Sequence, residues 1–92
     1  MRSLVFSQAR YTVRITHQAK KDINKLSPKL KAKLRDILLE VIAVNPYEGK
    51  KLIGDLAGSY SYRLNFKDRF VYCVDETIKT VYVQRARTHY GE

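Results

Sequence analysis

Residues 59–87 read SYSYRLNFKDRFVYCVDETIKTVYVQRAR, and the fold turns on how that stretch divides. Three runs rich in aromatic and β-branched residues, Ser59 to Phe66, Arg69 to Asp75 and Lys79 to Arg87, are separated only by Lys67-Asp68 and Glu76-Thr77-Ile78. Links this short predict an antiparallel meander, since parallel neighbours need a long crossover. In the first run Ser59, Ser61, Arg63 and Asn65 alternate with Tyr60, Tyr62, Leu64 and Phe66, which predicts an exposed polar row backed by an apolar one. The same alternation, carried to the C-terminus, groups Val81, Val83, Arg85, Arg87 and His89 on one face.

Upstream, Leu30, Leu34, Ile37, Leu38, Val41 and Ile42 recur at i, i+4, i+7, i+8, i+11 and i+12, the stripe of an amphipathic helix. Lys29, Lys31, Lys33, Arg35 and Asp36 fill the other positions and read as a solvated face. Ser27-Pro28 starts this helix, with Ser as cap and Pro in the first turn, and Asn45-Pro46 stops it. A shorter helix runs from about His17 to Leu26 behind a Thr16 cap, and His17 reads as structural. Tyr11 to Ile15 alternates as a half-buried strand, and Tyr47 to Gly58, with three of the four glycines, reads as a loop of functional length.

The order is β-α-α-β-β-β, an α+β chain with two helices packed on one face of a small antiparallel sheet, the other face left for a ligand. Ninety-two residues are too few for two cores, so residues 11–92 are expected to form one domain behind an extension at 1–10.

Eighteen Lys and Arg against nine Asp and Glu give a net charge of +9, which favours a polyanionic partner through phosphate neutralisation. Residues 17–51 carry nine basic and four acidic residues, so most of the excess sits on the helical segment. A solubilising surface or a patch for an acidic protein would look the same by charge alone. Cys73 is the only cysteine, which excludes an internal disulfide and reads as a buried, inert thiol in a reducing compartment. Without a long apolar stretch or a secretory leader in Met1–Arg10, a cytoplasmic protein with no membrane contact is expected. Two histidines and one cysteine at scattered positions make no metal site, and Gly49, Gly54 and Gly58 match no nucleotide fingerprint. No cofactor is expected.

Acid–base and electrostatic chemistry remains. Metal-free cleavage of RNA needs a base for the 2′-hydroxyl, cations for the phosphorane charge and an acid for the leaving 5′-oxygen. Glu48, beside Gly49, Lys50 and Lys51, can serve as base, while Arg63 and Arg69 can clamp phosphate. His89 has the chemistry of a neutral-pH proton donor, with Tyr90 beside it to orient the phosphate. Taken singly, each has a plainer reading: Glu48 as a surface ion pair, Arg63 as an exposed strand residue, His89 and Tyr90 as a solvated tail. The tyrosines at 60, 62, 72 and 82 read first as core or sheet packing.

Four ordered blocks, Asn45-Pro46-Tyr47-Glu48-Gly49, Leu56-Ala57-Gly58-Ser59-Tyr60-Ser61-Tyr62-Arg63-Leu64, Asp68-Arg69-Phe70-Val71-Tyr72 and Arg87-Thr88-His89-Tyr90, resemble the RelE/ParE toxin superfamily, most closely its YoeB/Txe branch, over residues 11–90. The resemblance implies a RelE-like fold related to small microbial ribonucleases, cleavage of mRNA in the ribosomal A site without a cofactor, and an acidic antitoxin as partner, in a homodimer or a toxin–antitoxin hetero-oligomer. It places the general base on Glu48, phosphate stabilisation on Arg63, the general acid on His89 with Tyr90 in support, and RNA contacts on Arg69 and Arg87, with Lys50 and Lys51 beside the base. Gly91-Glu92 after the His-Tyr pair and the residues before the first strand depart from the branch pattern. A ParE-like gyrase inhibitor, which needs no such catalytic set, or a plain basic binding module are the alternatives.

Overall fold

The computed structural model describes residues 10–88, with side chains through Ala86. Five strands, β1 (Thr12–Ile15), β2 (Lys50–Lys51), β3 (Ser59–Arg63), β4 (Asp68–Asp75) and β5 (Thr80–Thr88), lie in the order β1-β5-β4-β3-β2. The meander β3-β4-β5 is antiparallel as expected, but β1 joins β5 in parallel, Val13 opposite Val81 and Ile15 opposite Val83. The sheet is therefore mixed. Turn signals report which strands are joined by hairpins; they carry nothing about where the first strand docks after two helices.

Helix α1 (His17–Asn24) begins where Thr16 Oγ1 accepts a hydrogen bond from the Ala19 amide at 3.1 Å, and α2 (Pro28–Ile37) where Ser27 Oγ accepts from Leu30 at 3.2 Å. Each cap satisfies one of the first-turn amides that lack a helical partner. Instead of one regular helix to Asn45, α2 widens at Leu38–Ile42 into a π turn, closed by the Ala43 amide on the Leu38 carbonyl at 2.8 Å. Both ends of that turn, Leu38 and Ile42, are buried.

Helices and sheet enclose Leu34, Leu38, Ile42, Leu64, Phe70, Tyr72, Val81 and Val83. Burying each of the large apolar side chains contributes about 1.5–3 kcal/mol before conformational entropy is set against it. Tyr60 stacks on Tyr72 and Tyr62 on Phe70, with ring centroids 5.6 and 5.8 Å apart, so these tyrosines pack the helix-covered face. The row behind them is less open than expected. Ser59 and Ser61 are buried, Ser59 Oγ donating to Gln84 Oε1 at 3.0 Å, while Arg63 is exposed. Phe66 leaves the apolar row: β3 stops at Arg63, Asn65 Oδ1 accepts from the amides of Lys67 and Asp68, and Phe66 sits on the turn 89% exposed. Cys73 is half-buried, and desolvation raises its thiol pKa.

A bulge corrects the grouping of Val81, Val83 and Arg85. Val71 pairs with Arg85 and Tyr72 with Val83, so Gln84 is the extra residue and the inward series runs Val81, Val83, Ala86. Beyond Ile15, no strand among the described residues lies beside the edge of β5. Asp22 of α1 covers it, accepting from the Ala86 amide at 3.1 Å and from Arg85 Nε at 2.7 Å.

Candidate active site

The segment carrying Glu48 is a single 3-10 turn, Pro46–Glu48, held from both ends. Asn45 Oδ1 accepts from the Tyr47 amide at 3.2 Å, and Asn45 Nδ2 donates to Glu48 Oε1 at 3.2 Å. From beneath, the Tyr72 hydroxyl donates to the Pro46 carbonyl at 2.8 Å and accepts from the Gly49 amide at 3.0 Å. Burial pushes the Tyr72 pKa up to about 12, a shift that the Gly49 hydrogen bond opposes, so the hydroxyl stays a proton donor. This approach requires glycine at 49: a Cβ there would stand 2.4 Å from the Tyr72 hydroxyl and 2.7 Å from the Ser61 carbonyl. Past Gly49 the chain enters β2, whose Lys50 lies opposite Ser61 and Lys51 opposite Tyr60.

Glu48 thereby faces the end of β3 across an open cleft of about 480 Å³, lined among others by Lys33, Glu48, Lys50, Ser61, Arg63 and Asn65. Two of the predicted catalytic residues, Glu48 and Arg63, are brought together, with Lys50 beside them. Among the described residues no carboxylate forms an ion pair with Lys33, Lys50, Arg63 or Arg69. Arg69 stands opposite Arg63 in the β3–β4 register, and Arg87 opposite Arg69 on β5. Like charges on facing strand positions oppose folding, so such a row is more readily explained by a ligand than by stability. Lys51 does not line the cleft, since successive strand residues point to opposite faces. His89 and Tyr90, with the Arg87 side chain, lie outside the described residues. Lys33 was read as solvated helix surface; nothing in its local sequence distinguishes it from Lys29 or Lys31. No group of three or more His, Cys, Asp or Glu placed to hold a metal exists among the described residues, and no helix there is long and apolar enough to cross a membrane.

A second fastening holds the same turn at its outer side. Glu76, in the β4–β5 turn, accepts hydrogen bonds from Lys79 Nζ, from the Tyr47 hydroxyl and from the Tyr11 hydroxyl, the last at 2.9 Å. Chiefly through Lys79, then Tyr47, these donors lower the Glu76 pKa from 4.5 to about 2. A depressed folded-state pKa means the unfolded chain binds more protons between those values, so stability from this cluster is complete above about 4.5 and lost as pH falls towards 2. Glu76→Gln is expected to flatten the pH dependence of thermal stability in that window, as melting curves from pH 2 to 6 would show; a slope equal to that of the native chain would refute the assignment.

Comparison with known proteins agrees with this architecture. Residues 13–90 match the model of a family described as the ParE-like toxin of type II bacterial toxin–antitoxin systems. The chain belongs to that toxin family. It is 34% identical over 76 residues to toxin RelG of Mycobacterium tuberculosis, covering 82% of this chain and 86% of RelG. Among solved structures, a chain of the RelBE2 toxin–antitoxin complex from Mycobacterium tuberculosis superposes with a TM-score of 0.80 at 32% identity, covering 87% of this toxin and 99% of that chain. A chain of the YoeB–YefM complex from Staphylococcus aureus gives 0.70 at 28%, covering 89% and 100%. Two helices on a five-stranded mixed sheet are thus the shared fold of this toxin and its RelE and YoeB relatives.

Proposed function

We propose that this toxin is an endoribonuclease that cuts mRNA in the ribosomal A site, working in the cytoplasm and neutralised by an acidic antitoxin. The observation that carries the reading is the cleft in which Glu48 faces Arg63, Lys50 and Lys33 without pairing to any of them. Glu48 takes the proton of the 2′-hydroxyl, the 2′-oxygen attacks phosphorus, and Arg63 holds the charge that develops on the phosphorane oxygens. The P–O5′ bond then breaks, and the leaving 5′-oxygen receives a proton from His89 with Tyr90 in support, a role that rests on the sequence pattern alone. The products are a 2′,3′-cyclic phosphate and a 5′-hydroxyl. Lys50, Arg69 and Arg87 supply further phosphate contacts, and no metal or cofactor takes part in this scheme. Neutralisation would come from an antitoxin segment whose acidic side chains cover the cleft, consistent with structural neighbours that are toxin–antitoxin complexes.

The family description favours one other reading, a non-enzymatic ParE-like inhibitor of DNA gyrase, since one fold hosts several functions. Incubating the native toxin with mRNA-programmed ribosomes and, separately, with gyrase and relaxed plasmid separates the two. Cut mRNA with undisturbed supercoiling is expected; intact mRNA with blocked supercoiling would reverse the choice. Asn45→Ala removes the hydrogen bond that orients Glu48 and should slow cleavage roughly fivefold, the equivalent of one hydrogen bond of about 1 kcal/mol. Unchanged single-turnover rates would show that Tyr72 and Glu76 hold the turn well enough without Asn45.

A further inference from the structure

Helix α2 has two basic flanks that face different parts of the molecule. Lys31 and Arg35 border a groove of about 420 Å³ with Val13, Ile15 and Leu39 on the β1 side, whereas Lys33 borders the cleft of Glu48 and Arg63. The helical period explains the split. Lys33 immediately precedes the buried Leu34 and flanks the apolar stripe on one side, and Lys31 and Arg35 flank it on the other. A lysine in that position can lay its methylene stem along the apolar stripe and hold its ammonium over the cleft mouth.

We infer that Lys33 forms an RNA phosphate subsite separate from the reacting centre, binding a phosphate that flanks the scissile one. This rests on the ribonuclease reading. Arg63 and Lys50, on β3 and β2, lie on the sheet wall of the cleft, Glu48 faces them from the Pro46–Glu48 turn, and Lys33 reaches the cleft from the helix layer. A single phosphate between Glu48 and Arg63 leaves the helix-side cation for the next phosphate along the strand. Among the described residues no carboxylate pairs with Lys33, so its charge is available to a polyanion. Single-stranded RNA binding through such a contact carries a defined salt signature: each phosphate neutralised adds about 0.7 to the slope of log K against log salt.

The test measures binding of a 2′-O-methylated single-stranded RNA octamer, which cannot undergo 2′-oxygen attack, to the native toxin, Lys33→Gln and Lys31→Gln at several salt concentrations. Both variants remove one charge from an exposed position of the same helix, so non-specific attraction falls equally in each. Lys33→Gln is expected to weaken binding roughly three- to tenfold and to lower the salt slope by about 0.7, with Lys31→Gln close to native. Equal losses in the two variants, or an unchanged slope for Lys33→Gln, would overturn the subsite and leave the ribonuclease reading standing. A native toxin that binds no octamer at low salt would also overturn the subsite, whereas the ribonuclease reading stands or falls on cleavage of mRNA held on ribosomes.

Discussion

Glu48→Gln is expected to slow mRNA cleavage by roughly 10²–10⁴ in single-turnover rate, the contribution of a positioned general base. The amide keeps the size of the side chain and an oxygen to accept from Asn45 Nδ2, so the turn Pro46–Glu48 retains its fastenings while the proton acceptor is lost. Glu48 is exposed and pairs with no cation among the described residues, so melting temperature and RNA affinity should change little. A variant that melts like the native toxin and still cuts at the native rate would remove Glu48 from the chemistry.

Gly49→Ala is the substitution expected to damage fold and activity together. Its φ of −75° is open to any residue, so the cost is steric: the new methyl would meet the Tyr72 hydroxyl at 2.4 Å and the Ser61 carbonyl at 2.7 Å. Tyr72 is fully buried beneath Tyr60 and beside Phe70, and the Ser61 carbonyl belongs to the central part of β3. Neither can retreat without disturbing the core or the sheet. Overpacking of this kind costs about 1–3 kcal/mol, and in a domain of this size each kcal/mol lowers the melting temperature by roughly 4–8 °C. Cleavage at 25 °C should fall as well, because the clash breaks the Tyr72 hydrogen bonds that set the Glu48 turn. A melting temperature within a degree of native would mean that the turn has slack the geometry denies.

Much of this was legible in local sequence. The stripe from Leu30 to Ile42, the Thr16 and Ser27 caps and the hairpin links of the meander are short-range signals, and the elements formed close to where those signals placed them. Glu48 and Arg63 were readable as candidates because metal-free RNA cleavage calls for a base and a phosphate-holding cation, and because each falls in one of the four blocks that resemble the toxin superfamily. What stayed hidden depends on partners far along the chain. The bulge at Gln84 answers to Ser59 and to Asp22 of α1, not to its own neighbours. Likewise β1 pairs in parallel with β5, the last strand of the described chain, which no signal near β1 marks. Lys33 gains its place from the side of α2 that meets the sheet, which is decided by packing, and Glu76 reaches Tyr47 only because the β4–β5 turn ends beside the Pro46–Glu48 turn.

The decisive measurement is the chemistry of the cut ends when native toxin acts on mRNA-programmed ribosomes, with a parallel mRNA carrying a single 2′-deoxynucleotide on the 5′ side of the cut. Attack by the 2′-oxygen under Glu48 and Arg63 requires a 2′,3′-cyclic phosphate upstream, a 5′-hydroxyl downstream and no cutting at the deoxy position. A 5′-phosphate downstream, or a deoxy substrate cut as fast as RNA, would show that water and not the 2′-oxygen attacks, and would contradict the role assigned to Glu48.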